Sequence, residues 1–201
     1  MILLDLEDAV RPADKAAARS AAAAAVAGGY GDRETGIRIN APGSAWFEAD
    51  LAAVAGSRAD YVVLPKAEDA GEVARIAAAA RRPLLAMVET PVGVIAAPAI
   101  ARAGGVAGLI AGTNDLAAGL RLPADAGRQA LMLALQAIVL ASRATDVLAF
   151  DGVFNRLDDP AGLEAECREG RRLGFDGKTL IHPDQIAVAN RTFSPSEQEV
   201  D

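Results

Sequence analysis

Few of the residues that bind soft metals or staple a fold are present in this 201-residue chain. It has one cysteine, Cys167, and one histidine, His182. A lone cysteine forms no intrachain disulfide, so a reducing compartment is the default. With one histidine, a His-rich zinc site and a Cys₂His₂ module are both excluded on count. Basic charge is not in surplus either. Lys and Arg number 20 against 27 Asp and Glu, a net charge of −7, which argues against nucleic acid as the main partner. The longest uncharged apolar run, "LMLALQAIVLA" (131–141), is too short to cross a bilayer. The N-terminal "MILLDLEDAV" lacks the basic flank and long apolar stretch of a secretory signal. The expectation is a cytoplasmic protein with neither membrane nor nucleic acid as partner.

What the chain has in quantity is apolar residue, 52% of the total, ample for one buried core and short for two. Short apolar runs alternate with helix-like stretches. Strand candidates are 2–6, 36–40, 60–65, 84–89, 106–112, 147–153 and 177–181. Helical stretches lie at 13–27, 45–55, 69–81, 91–103, 125–144, 160–173 and from about 183. Thr90-Pro91 reads as an N-cap with proline at the first helical position, and His182-Pro183 repeats it less strongly. "AGGYG" (27–31) and "RLGFDG" (172–177) read as helix stops. Regular strand–helix alternation implies parallel pairing. Neither a G-x-G-x-x-G fingerprint after the first strand nor a P-loop occurs, so a TIM-type (β/α) barrel is expected over an open dinucleotide-binding sheet. A full barrel has eight strands and seven are visible. One barrel domain over 1–201 is expected, short of its first strand.

In such a barrel, functional groups gather at the C-terminal strand ends. Those ends carry Asp5, Glu7, Asp8, Arg38, Asn40, Lys66, Glu89, Asp115, Asp151, Asn155 and His182, all expected to face one mouth. Every strand exits into a polar loop, so Lys66, Asp151, Asn155 and His182 also have plain structural readings. Glu89 and Asp115 differ. Each directly follows an apolar strand with no adjacent Lys or Arg. Two such carboxylates on neighbouring strands repel unless a cation lies between them. Oxygen ligands with room for water fit Mg²⁺, or Mn²⁺. Glu7 and Asp8 could hold the metal's waters. Against this, "DLEDAV" could be an acid-rich helix start or pair with Lys15 and Arg19. Arg38 presents a planar fork suited to a carboxylate, its structural alternative being an ion pair with Glu7 or Asp8. A divalent metal beside an arginine makes a site for a 2-oxo acid and stabilises the negative charge of an enolate or alkoxide.

The chain also resembles the citrate lyase β-subunit-like branch of the HpcH/HpaI aldolase/citrate lyase family, which contains malyl-CoA lyases. The resemblance runs through "DLEDAV" with Lys15 and Ala18-Arg19, "IRINAPG" (37–43), "VVLPKAED" (62–69), "ETPVGV" (89–94) and "GTNDLA" (112–117). It continues through "DGVFN" (151–155), "GFDGKTLIHPDQ" (174–185) and "FSPS" (193–196). It implies a barrel of the phosphoenolpyruvate/pyruvate type, with Glu89 and Asp115 as Mg²⁺ ligands. It also implies Arg38 on the oxo acid, Glu7 and Asp8 supporting the metal waters, and Gly112, Thr113, Asn114 and Asp115 against the acid's carboxylate. The implied reaction is Claisen-type cleavage of a 3-hydroxyacyl-CoA or a citryl or malyl thioester to a 2-oxo acid and acetyl-CoA. Alternatives are hydrolysis of a malyl-CoA-type thioester, or a non-catalytic remnant that binds metal and oxo acid. Relatives carry a strand and loop ahead of "DLEDAV" and a C-terminal segment bearing an acid/base carboxylate. Neither has a counterpart here, so the proton-transfer group is unassigned. Assembly as a homo-oligomer, trimer or hexamer, is implied as well.

Overall fold

The computed structural model describes residues Met1–Pro195; the "FSPS" motif ends at Ser196, outside them. Seven strands lie side by side in chain order, every neighbouring pair parallel. They are β1 (Ile2–Asp5), β2 (Thr35–Arg38), β3 (Tyr61–Leu64), β4 (Leu84–Val88), β5 (Val106–Ala111), β6 (Leu148–Asp151) and β7 (Gly177–Lys178). All seven match expected strands, each shorter than expected. Among the described residues β7 and β1 do not pair with each other, so the fold is a TIM-type barrel short of one strand.

Helices α1 (Lys15–Gly28), α2 (Phe47–Ala55), α3 (Ala70–Ala80), α4 (Pro91–Ala101), α5 (Thr113–Gly119), α6 (Met132–Arg143), α7 (Pro160–Leu173) and α8 (Ile186–Phe193) connect and cover the strands. The expected caps are present. Thr90 Oγ1 accepts the Gly93 N–H at 3.0 Å, with Pro91 in the first turn. Gly174, at φ +100°, ends α7 in the left-handed region that glycine adopts without steric cost. The Asp184 N–H donates to His182 Nδ1 at 3.2 Å and opens a single 3₁₀ turn ahead of α8. One helix was not expected. α5 begins at Thr113, inside the stretch read as a strand-end loop, and the segment 125–144 divides into a 3₁₀ turn (Arg128–Leu131) followed by α6. None of the described helices is long and apolar enough to cross a membrane.

Strand residues alternate between two apolar layers. Val62, Leu64, Leu84, Ala86, Val88, Leu109 and Ala149 face the helices in the main core. Val63, Leu85 and Ile110, with Met87 and Phe150, form a smaller cluster inside the barrel. Parallel strands buried on both faces are apolar throughout, so side-chain direction follows from the tertiary pairing. By the same alternation Glu89 continues the Leu85–Met87 face into the interior.

Candidate active site

A cavity of about 640 Å³ opens at the C-terminal end of the strands. Its charged lining consists of Asp5, Asp8, Arg38, Glu89 and Asp115; Gly112, Thr113, Asn114 and Asn155 add polar groups. Leu3 of β1 and Ile181 beyond β7 flank it on the unpaired side of the barrel.

Glu89 is buried, with 4% of its surface exposed. Its Oε1 accepts the Lys66 peptide N–H at 2.8 Å, while Oε2 receives no hydrogen bond from the described residues. Asp115, in the first turn of α5, has neither a hydrogen-bond nor an ion-pair partner among them. Burial raises the Glu89 carboxyl and like charge from Asp115 adds to it, so the two carboxylates lie within each other's field. Gly112 makes room for the pair, since a Cβ there would lie 2.2 Å from Glu89 Cβ and 2.5 Å from Oε2. Two neighbouring carboxylates with free oxygens and no cation between them are the donor set of a hard divalent ion. No group of three or more His, Cys, Asp or Glu capable of holding a metal occurs among the described residues. The candidate is therefore a two-carboxylate centre, in keeping with an ion that retains waters.

Arg38 closes the opposite wall. Its Nε and Nη2 donate to Asp5 Oδ1 and Oδ2 at 2.7 and 2.6 Å. Nη1 approaches Glu7 Oε2 at 3.2 Å and Asp8 Oδ2 at 3.8 Å. The two-pronged partner is thus Asp5, its register mate on β1, in addition to the expected Glu7 and Asp8. Burial alone would raise the Asp5 carboxyl, but the Arg38 guanidinium and the Ala9 and Glu7 amides hold it below its ordinary value. The loop bearing Glu7 and Asp8 is fixed from behind. Buried Lys15 donates to the Leu6 and Glu7 carbonyls, both at 2.7 Å, and to Asn40 Oδ1 at 2.6 Å. Arg19 pairs with Asp50 at 2.6 Å. Lys15 and Arg19 therefore do not neutralise Glu7 and Asp8; Arg38 is the cation that the acids of "DLEDAV" meet, and Asp5 and Asp8 line the cavity.

Three expected mouth residues lie elsewhere. Asn40 is buried between Lys15 and Asp50. Asp151 follows Phe150 on β6; Phe150 packs inside the barrel, so Asp151 faces the helices, wholly buried. There it meets Arg128 Nη2 at 2.9 Å and Lys178 Nζ at 3.1 Å. His182 serves its 3₁₀ turn. Lys66 reaches the site through its backbone N–H and, from an exposed side chain, through the charge that acts on Glu89 and Glu7. Asn155 does line the cavity, where its Nδ2 donates to Asn114 Oδ1 at 2.8 Å.

Burial pushes the carboxyls of Glu7 and Glu89 up from 4.5 to about 7. The folded chain therefore holds protons that the unfolded chain releases near 4.5. The stability these groups contribute is full below that value and is lost as pH rises through about 7. In EDTA, the urea midpoint is expected to fall between about pH 5 and about pH 8, and the Glu7→Gln/Glu89→Gln double variant to lose most of that fall. A wild-type profile flat over this window would show the two acids to be solvated.

A family model described as HpcH/HpaI aldolase/citrate lyase matches residues 1–183. The chain belongs to this family. It is 42% identical to a (3S)-malyl-CoA thioesterase of Cereibacter sphaeroides over 202 residues, covering 100% of this chain and 71% of the relative. Among solved structures of this aldolase/lyase family, the citrate lyase β subunit of Mycobacterium tuberculosis, complexed with oxaloacetate and magnesium, superposes with a TM-score of 0.87. That match has 38% identity and covers 97% of this chain and 87% of the other. The protein CitE from the same organism, in complex with magnesium, acetoacetate and coenzyme A, gives a TM-score of 0.87 at 37% identity. It covers 98% of this chain and 74% of that one.

Proposed function

We propose that this chain is a Mg²⁺-dependent enzyme that cleaves the carbon–carbon bond of a 3-hydroxyacyl-CoA, or of a citryl or malyl thioester, to a 2-oxo acid and acetyl-CoA. The observation that carries the reading is the pair Glu89 and Asp115, which line one cavity with Arg38, act on each other through like charge and have no salt bridge among the described residues. The relatives' complexes with magnesium, oxo acids and coenzyme A support it.

Glu89 and Asp115 would hold the ion, with Mn²⁺ as the alternative to Mg²⁺, and the bound ion would supply Lewis-acid charge to the oxo-acid oxygens. Arg38, aligned by Asp5, would bring its positive charge to the acid's carboxylate, with Nη1 shared between that carboxylate and Glu7 and Asp8. The Gly112–Asp115 turn lines the same space, and Glu7 and Asp8 hold water beside it. In the cleavage direction the 3-hydroxyl gives up its proton and the C2–C3 bond breaks. The electron pair passes to the thioester enolate, which takes a proton to become acetyl-CoA.

A second reading on the same residues is hydrolysis of malyl-CoA or a related thioester, favoured by the 42% identity to a thioesterase. Incubation with Mg²⁺ and malyl-CoA, citramalyl-CoA or citryl-CoA separates them. Release of glyoxylate, pyruvate or oxaloacetate with acetyl-CoA supports the lyase. Free CoA with the intact hydroxy acid supports the hydrolase. No turnover of any of the three overturns both and leaves a protein that only binds.

The reading includes self-association as a homo-oligomer. Ile95 of α4 and Leu133 and Leu140 of α6 are 83%, 85% and 68% exposed on helices that pack together, apolar side chains that a protein partner would cover. Sedimentation as a monomer at micromolar concentration would remove that part of the proposal.

A further inference from the structure

Lys66 has a left-handed backbone, φ +51°, although it is not glycine. Arg81, Arg121 and Asp146 share that conformation. Each of those three lies just past a helix end, where a left-handed residue is an ordinary stop. Lys66 instead follows strand β3 at the mouth of the barrel. For a residue with a Cβ this conformation is sterically unfavourable and persists only where surrounding contacts impose it.

The contact it makes is with the candidate metal centre. The turn points the Lys66 peptide N–H at Glu89 Oε1, 2.8 Å away. On the far side Gly112 backs the same carboxylate so closely that a Cβ would stand 2.5 Å from Oε2. Gly112 leads directly into α5, which carries Asp115. The Glu89 carboxylate is thus tied through one oxygen and has the other turned toward the α5 side of the cavity. The exposed Lys66 side chain is not part of the cavity lining, and its charge reaches Glu89 only through space.

We infer that Lys66 is a positioning residue whose left-handed backbone aims its peptide N–H at Glu89, fixing that carboxylate so that Oε2 is presented to a divalent cation shared with Asp115. The role belongs to the backbone and not to the ammonium. The inference rests on the reading of Glu89 and Asp115 as the metal pair.

The test is a Mn²⁺ titration of the full chain, followed by the paramagnetic resonance signal of the free ion. Lys66→Ile keeps the N–H but adds β-branching, which opposes the left-handed region. Its affinity is expected to fall about tenfold or more. Lys66→Ala removes the ammonium and Lys66→Gly relaxes the backbone; neither is expected to weaken binding. Should Lys66→Ile fail to fold, as judged by circular dichroism in EDTA, Lys66→Thr takes its place with the same expected direction. Wild-type affinity in the β-branched variant, or an equal loss in Lys66→Ala, overturns the inference and leaves the metal pair standing. Absence of Mn²⁺ binding by the wild type overturns the metal reading itself.

Discussion

Glu89→Gln and Asp115→Asn are each expected to lower Mg²⁺-dependent turnover by about a thousandfold or more, roughly 4 kcal/mol of transition-state stabilisation. Each substitution removes one of the two anionic donors of the candidate centre. Shape is nearly unchanged, and a glutamine at position 89 retains an oxygen to accept the Lys66 N–H. Stability should move the other way. A buried carboxylate with a like charge beside it is costly without its cation, and burial and Asp115 already raise the Glu89 carboxyl. In EDTA, Glu89→Gln should therefore unfold at urea concentrations no lower than wild type. Full Mg²⁺-dependent activity in either variant would refute the assignment. Loss of activity together with loss of the fold would show these carboxylates to be structural.

The second large effect falls on stability. Asp151→Ala is expected to cost about 3–5 kcal/mol, because it removes the one wholly buried acid that pairs with both Arg128 and Lys178 and leaves them to the more exposed Glu166 and Glu169. Asp151 is fully buried, and so is the Lys178 side chain; Arg128 is nearly so. Glu166 receives Lys178 Nζ at 2.6 Å and Glu169 receives Arg128 Nε at 2.6 Å. Removing Asp151 leaves two cations and two acids, one of which, Glu169, is 40% exposed and screened by water. Gly170 packs against the same carboxylate, where a Cβ would lie 2.7 Å from Asp151 Oδ2. Urea unfolding measures the loss, and a change below about 1 kcal/mol would show the cluster to be hydrated. Mn²⁺ binding by the folded fraction should persist, since Asp151 does not line the cavity.

Asp151 and Glu89 show why some of the site was legible and some was not. Both are acids at the end of an apolar strand. In β4, Leu85, Met87 and Glu89 share one side, and that side is the barrel interior. In β6 the interior side belongs to Phe150, so Asp151 is turned to the helices. Side chains alternate with period two, and a shift of one residue exchanges the faces. Strands apolar on both faces carry no pattern that marks the interior side. The Asp5–Arg38 pair was hidden for a related reason. The two residues are far apart in sequence and become opposite partners only once β1 and β2 align. α5 was missed because a helix of seven residues is too short to show a period.

The order of strands and helices, the barrel class and the acids at the strand ends were set by the sequence alone, because apolar runs, caps and glycine stops are local signals. The direction each acid takes, and so the separation of a cavity pair from a buried ion cluster, was decided by the tertiary structure. The reason is physical: a side chain's face is fixed by the register of its strand against neighbours that lie far away along the chain.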